Sequence, residues 1–222
     1  MYATARSAPA GPYATVHIDP RNAPRQAWWA VETDYRTGDV AMVVTEYPRG
    51  TKLSADLADD TARKALAEGP EKALRDARAS AVEFGLATPV SLVVVLVNGI
   101  HVRLAWVGDC RAHLLGNDAQ LISLTEDHTA AGDSTCRAYT SHLALDGGRI
   151  DTLDIETLPG CRILLSSPGL TDVDSDVAAH LLCDDDYESA LVRLAHASQV
   201  EGSRPAAGLL LELATTSTSR SQ

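Results

Sequence analysis

Acidic side chains are the residues best able to do chemistry here, because hard divalent cations need anionic oxygen ligands. Asp34 and Asp39 flank a predicted hairpin turn, where their expected role is hydrogen bonding to the backbone. Residues 184–186 form an acidic run, which is typical of a solvated loop between helices. The sequence has no GxSxG elbow, no P-loop, no glycine-rich dinucleotide turn and no zinc-like Cys/His spacing. A site therefore depends on the elements that bring distant residues together.

Hydrophobic periodicity predicts a mixed α+β chain. Residues 27–31 and 39–45 are predicted as strands of a hairpin, and residues 53–84 as two helices broken at Gly69-Pro70. Further strands are predicted at 90–97, 100–107, 111–115, 120–124, 162–166 and 207–213, and helices at 174–183 and 186–198. Segregated helices around mainly antiparallel strands indicate α+β rather than a doubly wound sheet.

Length and composition fit one globular domain of 222 residues. We expect residues 1–13 to be flexible, residues 14–214 to form the domain and residues 215–222 to be a disordered tail. The net charge of −11 argues against nucleic acid and anionic membranes as partners. No CxxC pair, signal peptide or bilayer-long apolar run is present. These features predict reduced thiols and a cytoplasmic protein.

Three blocks of the sequence resemble the metal-dependent PP2C (PPM-type) Ser/Thr protein phosphatases. They are GDCR at residues 108–111, TEDHT at 125–129 and PGCRILLSSPGLTD at 159–172, against the family's GDSR, T-x-D-H-S and a run ending in SDGL. The resemblance implies a four-layer α-β-β-α sandwich. It also implies two Mn²⁺ or Mg²⁺ ions between the sheets, which activate a water for attack on a phosphomonoester. The short segment after TEDHT implies a shortened flap beside the site.

The residues that match the family's metal-binding aspartates are not acidic in this chain. The resemblance places Gln26, Thr45, Pro168 and Arg204 at these positions. Glu46 follows Thr45 directly, and one step along a regular strand turns a side chain to the opposite face. Glu46 is therefore not expected to replace the lost ligand, unless a strand end or bulge re-aims it. We expect no metal cofactor and no catalytic residues.

Three arginines raise a different possibility at the same place. Arg21 matches the family's phosphate-binding arginine. Arg25 lies beside a lost ligand position, and Arg204 lies at one. If they converge, they could bind a phosphate group without cleaving it. The alternative is that all three are surface arginines.

The sequence thus predicts a catalytically inactive PP2C-like pseudophosphatase domain that regulates or binds a protein partner, a phosphorylated protein among the candidates. Two alternatives remain. One is a divergent active phosphatase that uses Mn²⁺ or Mg²⁺, with Glu46 as a metal ligand. The other is a sensor of phosphate or a small ligand at the vacated site. One residue of the Trp28-Trp29 pair is expected to be exposed, which would make it an interface candidate.

Overall fold

The computed structural model of the protein describes residues 3–7, 13–18, 25–48, 55–86, 89–129, 139–145, 147–171, 173–201 and 205–213. These residues form two antiparallel β-sheets and five α-helices. The five-stranded sheet has the order β3 (Arg25–Asp34), β4 (Asp39–Pro48), β5 (Ser91–Asn98), β6 (His101–Val107) and β9 (Asp151–Glu156). The six-stranded sheet has the order β1 (Ala3–Ser7), β2 (Tyr13–Ile18), β11 (Ala206–Glu212), β10 (Arg162–Ser166), β7 (Arg111–Leu115) and β8 (Leu121–Ser123).

The helices lie on the outer faces of the two stacked sheets. Helices α1 (Ala55–Glu68) and α2 (Pro70–Glu83) cover the five-stranded sheet. Helices α3 (Pro168–Thr171), α4 (Ser175–Leu182) and α5 (Tyr187–Glu201) belong to the layer on the six-stranded sheet. The predicted α-β-β-α sandwich is confirmed.

Three apolar cores separate these four layers. Val93 lies in the core between the sheets, Leu92 in the core under α1 and α2, and Leu164 in the core under α3–α5. Strand β5 is buried on both faces because it is the central strand of its sheet, as its continuous apolar run predicted. Each fully buried Val or Leu contributes about 1.5–3 kcal/mol of hydrophobic stabilisation.

Turn residues set most of the element boundaries as predicted. Gly69 separates α1 from α2, and Pro70 is the first residue of α2. One hairpin turn is shifted by a residue, because Asn98 pairs with His101 and the turn therefore contains Gly99 and Ile100.

Two edge regions differ from the sequence predictions. Residues 1–13 were expected to be flexible, but Ala3–Ser7 form β1 and pair with β2, and β2 already begins at Tyr13. Strand β9 was not predicted, although Asp151–Glu156 alternate between half-buried and exposed residues. The proposed tail at residues 215–222 and most of the shortened flap, residues 130–138, lie outside the described residues.

Trp28 and Trp29 point to opposite faces of β3, but neither is exposed. Trp29 packs against the core between the sheets and Trp28 against the core under α1 and α2. The predicted exposed tryptophan is therefore wrong, since β3 is covered on both faces. In the part of the chain that the structure describes, every helix is too short or too polar to cross a bilayer.

Candidate functional site

A three-residue link joins the two sheets at one end of the sandwich. Strand β6 ends at Val107 and β7 begins at Arg111, so residues 108–110 cross from one sheet to the other. Glu46 pairs with Ala27 on one side and Ser91 on the other, which brings the start of β3, the end of β4 and the start of β5 to this end.

The six-stranded sheet contributes the end of β10 and the start of β11 at the same place. Ser166 pairs with Arg111 and with Gly208. Pro168, which follows as the first residue of α3, is buried at this end. The side chain of Ser167 ties the two strands together, because its Oγ accepts from the Ala207 N–H at 3.0 Å and donates to the Pro205 carbonyl at 3.3 Å.

The alternation of side chains on β4 decides which acid faces the gap between the sheets. Val44 belongs to the core between the sheets, whereas Val43 belongs to the core under the helices. The pairing of β4 with both neighbours continues without a bulge to residue 46. Glu46 therefore faces the gap and Thr45 faces the helices, where its Oγ1 donates to the Ser91 carbonyl at 2.9 Å.

Strand β3 shows the same one-residue difference. Ala27 belongs to the core between the sheets and Ala30 to the core under the helices, so Arg25 faces the gap and Gln26 does not. The expectation that Gln26 and Thr45 face the site while Glu46 turns away is therefore wrong. A shift of one residue exchanges the two faces of a strand.

The guanidinium group of Arg25 is held by three oxygen atoms. Its Nε donates to Glu46 Oε1, and its Nη2 donates to the carbonyl oxygens of Glu46 at 3.3 Å and Pro89 at 3.0 Å. Arg25 Cζ also lies 5.8 Å from the centroid of the Tyr139 ring, within cation–π range. Burial alone would lower the pKa of Arg25, but Glu46, Tyr139 and Asp109 together outweigh burial and raise this pKa. Arg25 is therefore charged at neutral pH.

Asp109 lies beside this pair and is fully engaged in hydrogen bonds. Ser91 Oγ donates to Asp109 Oδ1 at 2.6 Å, and the Asp109 backbone N–H donates to Ser91 Oγ at 3.2 Å. The Tyr139 hydroxyl lies 3.2 Å from both Asp109 carboxylate oxygens. Burial, and then the charge of Asp109, raise the pKa of Tyr139 above its usual value, so this hydroxyl remains a donor.

Cys110 is buried next to the two acids and remains a thiol. Burial is the main cause that raises its pKa, and the charges of Asp109 and Glu46 raise it further. A thiol, unlike a thiolate, is a poor nucleophile and a poor metal ligand. Cys110 therefore adds packing rather than chemistry.

The TEDHT block clamps the link between the sheets. Asp127 forms two parallel hydrogen bonds with Arg111, at 2.9 Å from Nε and 2.7 Å from Nη2. The His128 backbone N–H donates to the Gly108 carbonyl at 2.8 Å, and His128 Nδ1 accepts from the Gly108 N–H at 3.3 Å. His128 Nε2 lies 3.2 Å from Asp151 Oδ2, so it carries the proton that this contact requires. The family motifs that survive thus hold the loop together.

The remaining predicted site residues are only partly placed. Pro168 lies at the correct end of the sandwich and has no side-chain ligand to offer. Arg21 and Arg204 lie outside the described residues, so their predicted convergence with Arg25 stays a prediction. Tyr139 and Ser91 complete the site, although sequence patterns did not identify either as a functional residue.

The residues that the structure describes at this end of the sandwich do not fit a pair of divalent cations. Among the described residues, no three His, Cys, Asp or Glu side chains are grouped to hold a metal ion. Glu46 is paired with Arg25, and Asp109 is bonded to Ser91 and Tyr139. Two-metal hydrolysis needs several anionic oxygens around the ions.

Residues 50–134 match the family model for protein phosphatase 2C. Solved phosphatase structures resemble the chain over most of its length. The PPM Ser/Thr phosphatase MsPP from Mycobacterium smegmatis, solved with cacodylate, is 20% identical, with 92% of this chain and 100% of that chain covered and a TM-score of 0.72. The catalytic domain of PstP, solved with two manganese ions, is 17% identical, with coverages of 96% and 100% and a TM-score of 0.68.

A third similar structure is PppA, described as a key regulatory component of T6SS in Pseudomonas aeruginosa. It is 16% identical, with 86% of this chain and 98% of that chain covered and a TM-score of 0.63. No sequence among the curated proteins matches the chain. The PP2C resemblance is confirmed by the family model over residues 50–134, and the fold by these structures.

Proposed function

We propose that this PP2C-fold domain does not hydrolyse phosphomonoesters and acts through protein contacts, as a regulatory or interaction module. The observation that carries the proposal is the ion pair between Arg25 and Glu46 in the gap between the sheets. The guanidinium group already balances the Glu46 carboxylate, so this acid would have to lose its partner before it could bind a divalent cation. Without bound metal, no water is activated for attack on phosphorus.

The contrast with PstP supports this interpretation. PstP was solved with two manganese ions. In this chain, the gap-facing acid Glu46 already has an arginine as its counter-ion, and Pro168 stands where the family has an aspartate. The domain therefore keeps the fold of the phosphatases, while Glu46 and Asp109 form hydrogen bonds within the protein.

Exposed apolar residues at the end of α2 support a role in protein binding. Phe84, the single phenylalanine of the chain, is 73% exposed and follows the exposed Val82 at the end of α2. The chain then leads to Pro89, whose carbonyl contacts Arg25. Aromatic residues are enriched at protein interfaces. PppA, a regulatory component with the same fold, adds support for the regulatory part of the proposal.

The proposal also places the domain in the cytoplasm, with a protein partner and no nucleic acid or membrane. The three cysteines among the described residues, Cys110, Cys161 and Cys183, have free thiols. Free thiols suit a reducing compartment. The net charge of −11 disfavours polyanionic partners.

A phosphatase assay combined with calorimetric titration tests the proposal. We expect no turnover of a serine/threonine phosphopeptide with Mn²⁺ or Mg²⁺, and no heat of Mn²⁺ binding at millimolar concentration. PstP catalytic domain serves as the positive control under the same conditions. Turnover by this chain that a chelator abolishes would contradict the proposal.

One observation favours a divergent metal-dependent phosphatase as the second candidate. Glu46 and Asp109 both lie at the end of the sandwich where the sheets are linked, and both are acids. If this candidate is correct, Glu46→Gln abolishes chelator-sensitive turnover, whereas Glu71→Gln on the exposed face of α2 leaves it unchanged. If the inactive domain is correct, all three proteins give the same background rate.

A further inference from the structure

The oxygen atoms around Arg25 have the composition of a cation site. One belongs to the Glu46 carboxylate and two are the backbone carbonyl oxygens of Glu46 and Pro89. Carboxylate and carbonyl oxygens are the ligands that hard cations take in proteins. We call this set of three oxygens the oxygen cage.

The surroundings of the cage also favour positive charge. The face of the Tyr139 ring lies beside the guanidinium group, and the buried Asp109 carboxylate lies near it. The Glu46 side chain is 4% exposed, so water cannot readily replace a missing counter-ion. An uncompensated charge in such a place is strongly destabilising.

We infer that the oxygen cage is a cation site whose resident cation is the chain's own Arg25 guanidinium, and that truncation of this side chain opens it to a small cation from solution. The inference rests on the proposed function in one respect, because it requires the native site to hold no metal ion. The ligand class is a free guanidinium ion or a hydrated divalent cation such as Mn²⁺. In the native chain the cage is closed to both.

Chemical rescue of Arg25→Ala in the full chain tests this inference. The variant should melt below the native protein, and guanidinium chloride, far below denaturing concentrations, or MnCl₂ should raise its Tm. At about ten times the Kd of the cation we expect a rise of roughly 3–5 °C. Sodium chloride at equal ionic strength should not reproduce the effect, and the native protein should show none.

Two variants control for charge loss and for the identity of the cage. Arg36→Ala removes an arginine that is 88% exposed, and it should show no cation-dependent rise in Tm. The double variant Arg25→Ala/Glu46→Gln removes the anionic oxygen, so it should also lose the cation response. If the double variant still responds, the cation binds elsewhere and the inference is overturned.

The remaining outcomes also decide the question. A folded Arg25→Ala variant that neither cation stabilises overturns the inference. If Arg25→Ala does not fold but the double variant does, the unbalanced charge of Glu46 is the cause of the unfolding. This outcome supports the inference. If neither folds in the presence or absence of either cation, Arg25 acts through something other than the cage, which overturns it.

Failure of the inference is distinguishable from failure of the proposed function. A native chain that hydrolyses phosphopeptide with Mn²⁺ contradicts the proposed function. An inactive native chain whose Arg25→Ala variant shows no rescue contradicts only the oxygen cage.

Discussion

Arg25–Glu46 and Arg111–Asp127 are both arginine–carboxylate pairs at the same end of the sandwich, but their surroundings differ. In the first pair the acid is 4% exposed and faces the gap between the sheets. In the second the acid is 24% exposed and belongs to the loop that clamps residues 108–110. The second pair comes from family motifs, whereas the first comes from residues where the family motif is lost.

The retained family motifs and the gap-facing residues are therefore separate parts of this end of the sandwich. Arg111, Asp127 and His128 bond to the backbone and side chains of the link between the sheets, so in this chain they stabilise the fold. At the gap, by contrast, the residues differ from the family pattern, and Arg25 pairs with Glu46. A match to GDSR-like and DH-like motifs therefore predicts the fold rather than the activity.

We expect the largest loss of stability from a change in the link at residues 108–110, which lies against the start of β5. Gly108 has φ +87°, and an added Cβ would lie 2.2 Å from Ser91 Oγ and 2.8 Å from Ser91 Cα. We expect Gly108→Ala to lower the free energy of unfolding by about 4 kcal/mol, as measured by denaturant titration. The matched control is Gly38→Ala, with φ +81° and nothing within 4 Å of its Cβ. It should cost about 1–2 kcal/mol, and equal losses would contradict a clash at Ser91.

The next largest loss of stability should distinguish the Arg25–Glu46 pair from the Arg111–Asp127 pair. Glu46→Gln leaves the Arg25 charge half-buried with a neutral partner, so we expect a loss of about 3–4 kcal/mol. Arg111 is about as exposed as Arg25, but Asp127 is 24% exposed against 4% for Glu46, so water already screens the second pair and we expect Asp127→Asn to cost about 1 kcal/mol. Denaturant titration of both variants at neutral pH measures the difference. If Asp127→Asn costs as much as Glu46→Gln, burial does not distinguish the pairs.

A histidine near the Arg111–Asp127 pair should make the stability of the fold depend on pH. His113 is buried on the outer face of β7, and its Nδ1 has no hydrogen-bond partner among the described residues. Burial, with a smaller effect of Arg111, lowers the pKa of His113 from 6.5 to about 4. Between these two pH values the unfolded chain binds a proton that the folded chain does not.

Stability should therefore fall as the pH decreases from 6.5 to 4, by up to roughly 3 kcal/mol from His113 alone. His113→Leu removes the titrating group and should flatten the curve in this range. Urea titrations of both proteins across the range provide the measurement. Parallel curves for native protein and variant would show that His113 is not the cause.

The smallest effect is expected for an ion pair on the solvent face of α2. Arg75 and Glu71 are 62% and 53% exposed and four residues apart. Such a pair contributes about 0.3–0.5 kcal/mol, because water screens both charges. Arg75→Ala should thus lower the free energy of unfolding by about this amount in the same titration. A loss near that of Glu46→Gln would remove the contrast between buried and exposed pairs.

The sequence was sufficient to predict the layers of the fold but not the orientation of the site. Gly69-Pro70, the apolar run of β5 and the GDCR and TEDHT blocks each predicted a feature that the structure contains. Glu46 was expected to turn away from the site, because it lies next to a strand end where the family pattern is too degraded to fix a one-residue register. Core membership of its neighbours, which only the structure reveals, determines the face.

Other parts of the site depend on contacts between residues that are far apart in the sequence. Tyr139 reaches Asp109 across 30 residues and carries no motif, so no local pattern could identify it. Strand β9 was missed because it is an edge strand with only three half-buried positions, which gives a weak periodic signal. The role of Arg25 likewise follows from a carbonyl 64 residues away.

The Arg25–Glu46 pair has one consequence for the behaviour of the domain in a changing cell. A dissociable counter-ion leaves its site when its concentration falls, whereas the guanidinium group is covalently tethered and its effective concentration is fixed by the chain. The charge of Glu46 is thus balanced at any level of dissolved magnesium or manganese. The geometry of this end of the sandwich therefore does not depend on the supply of either metal.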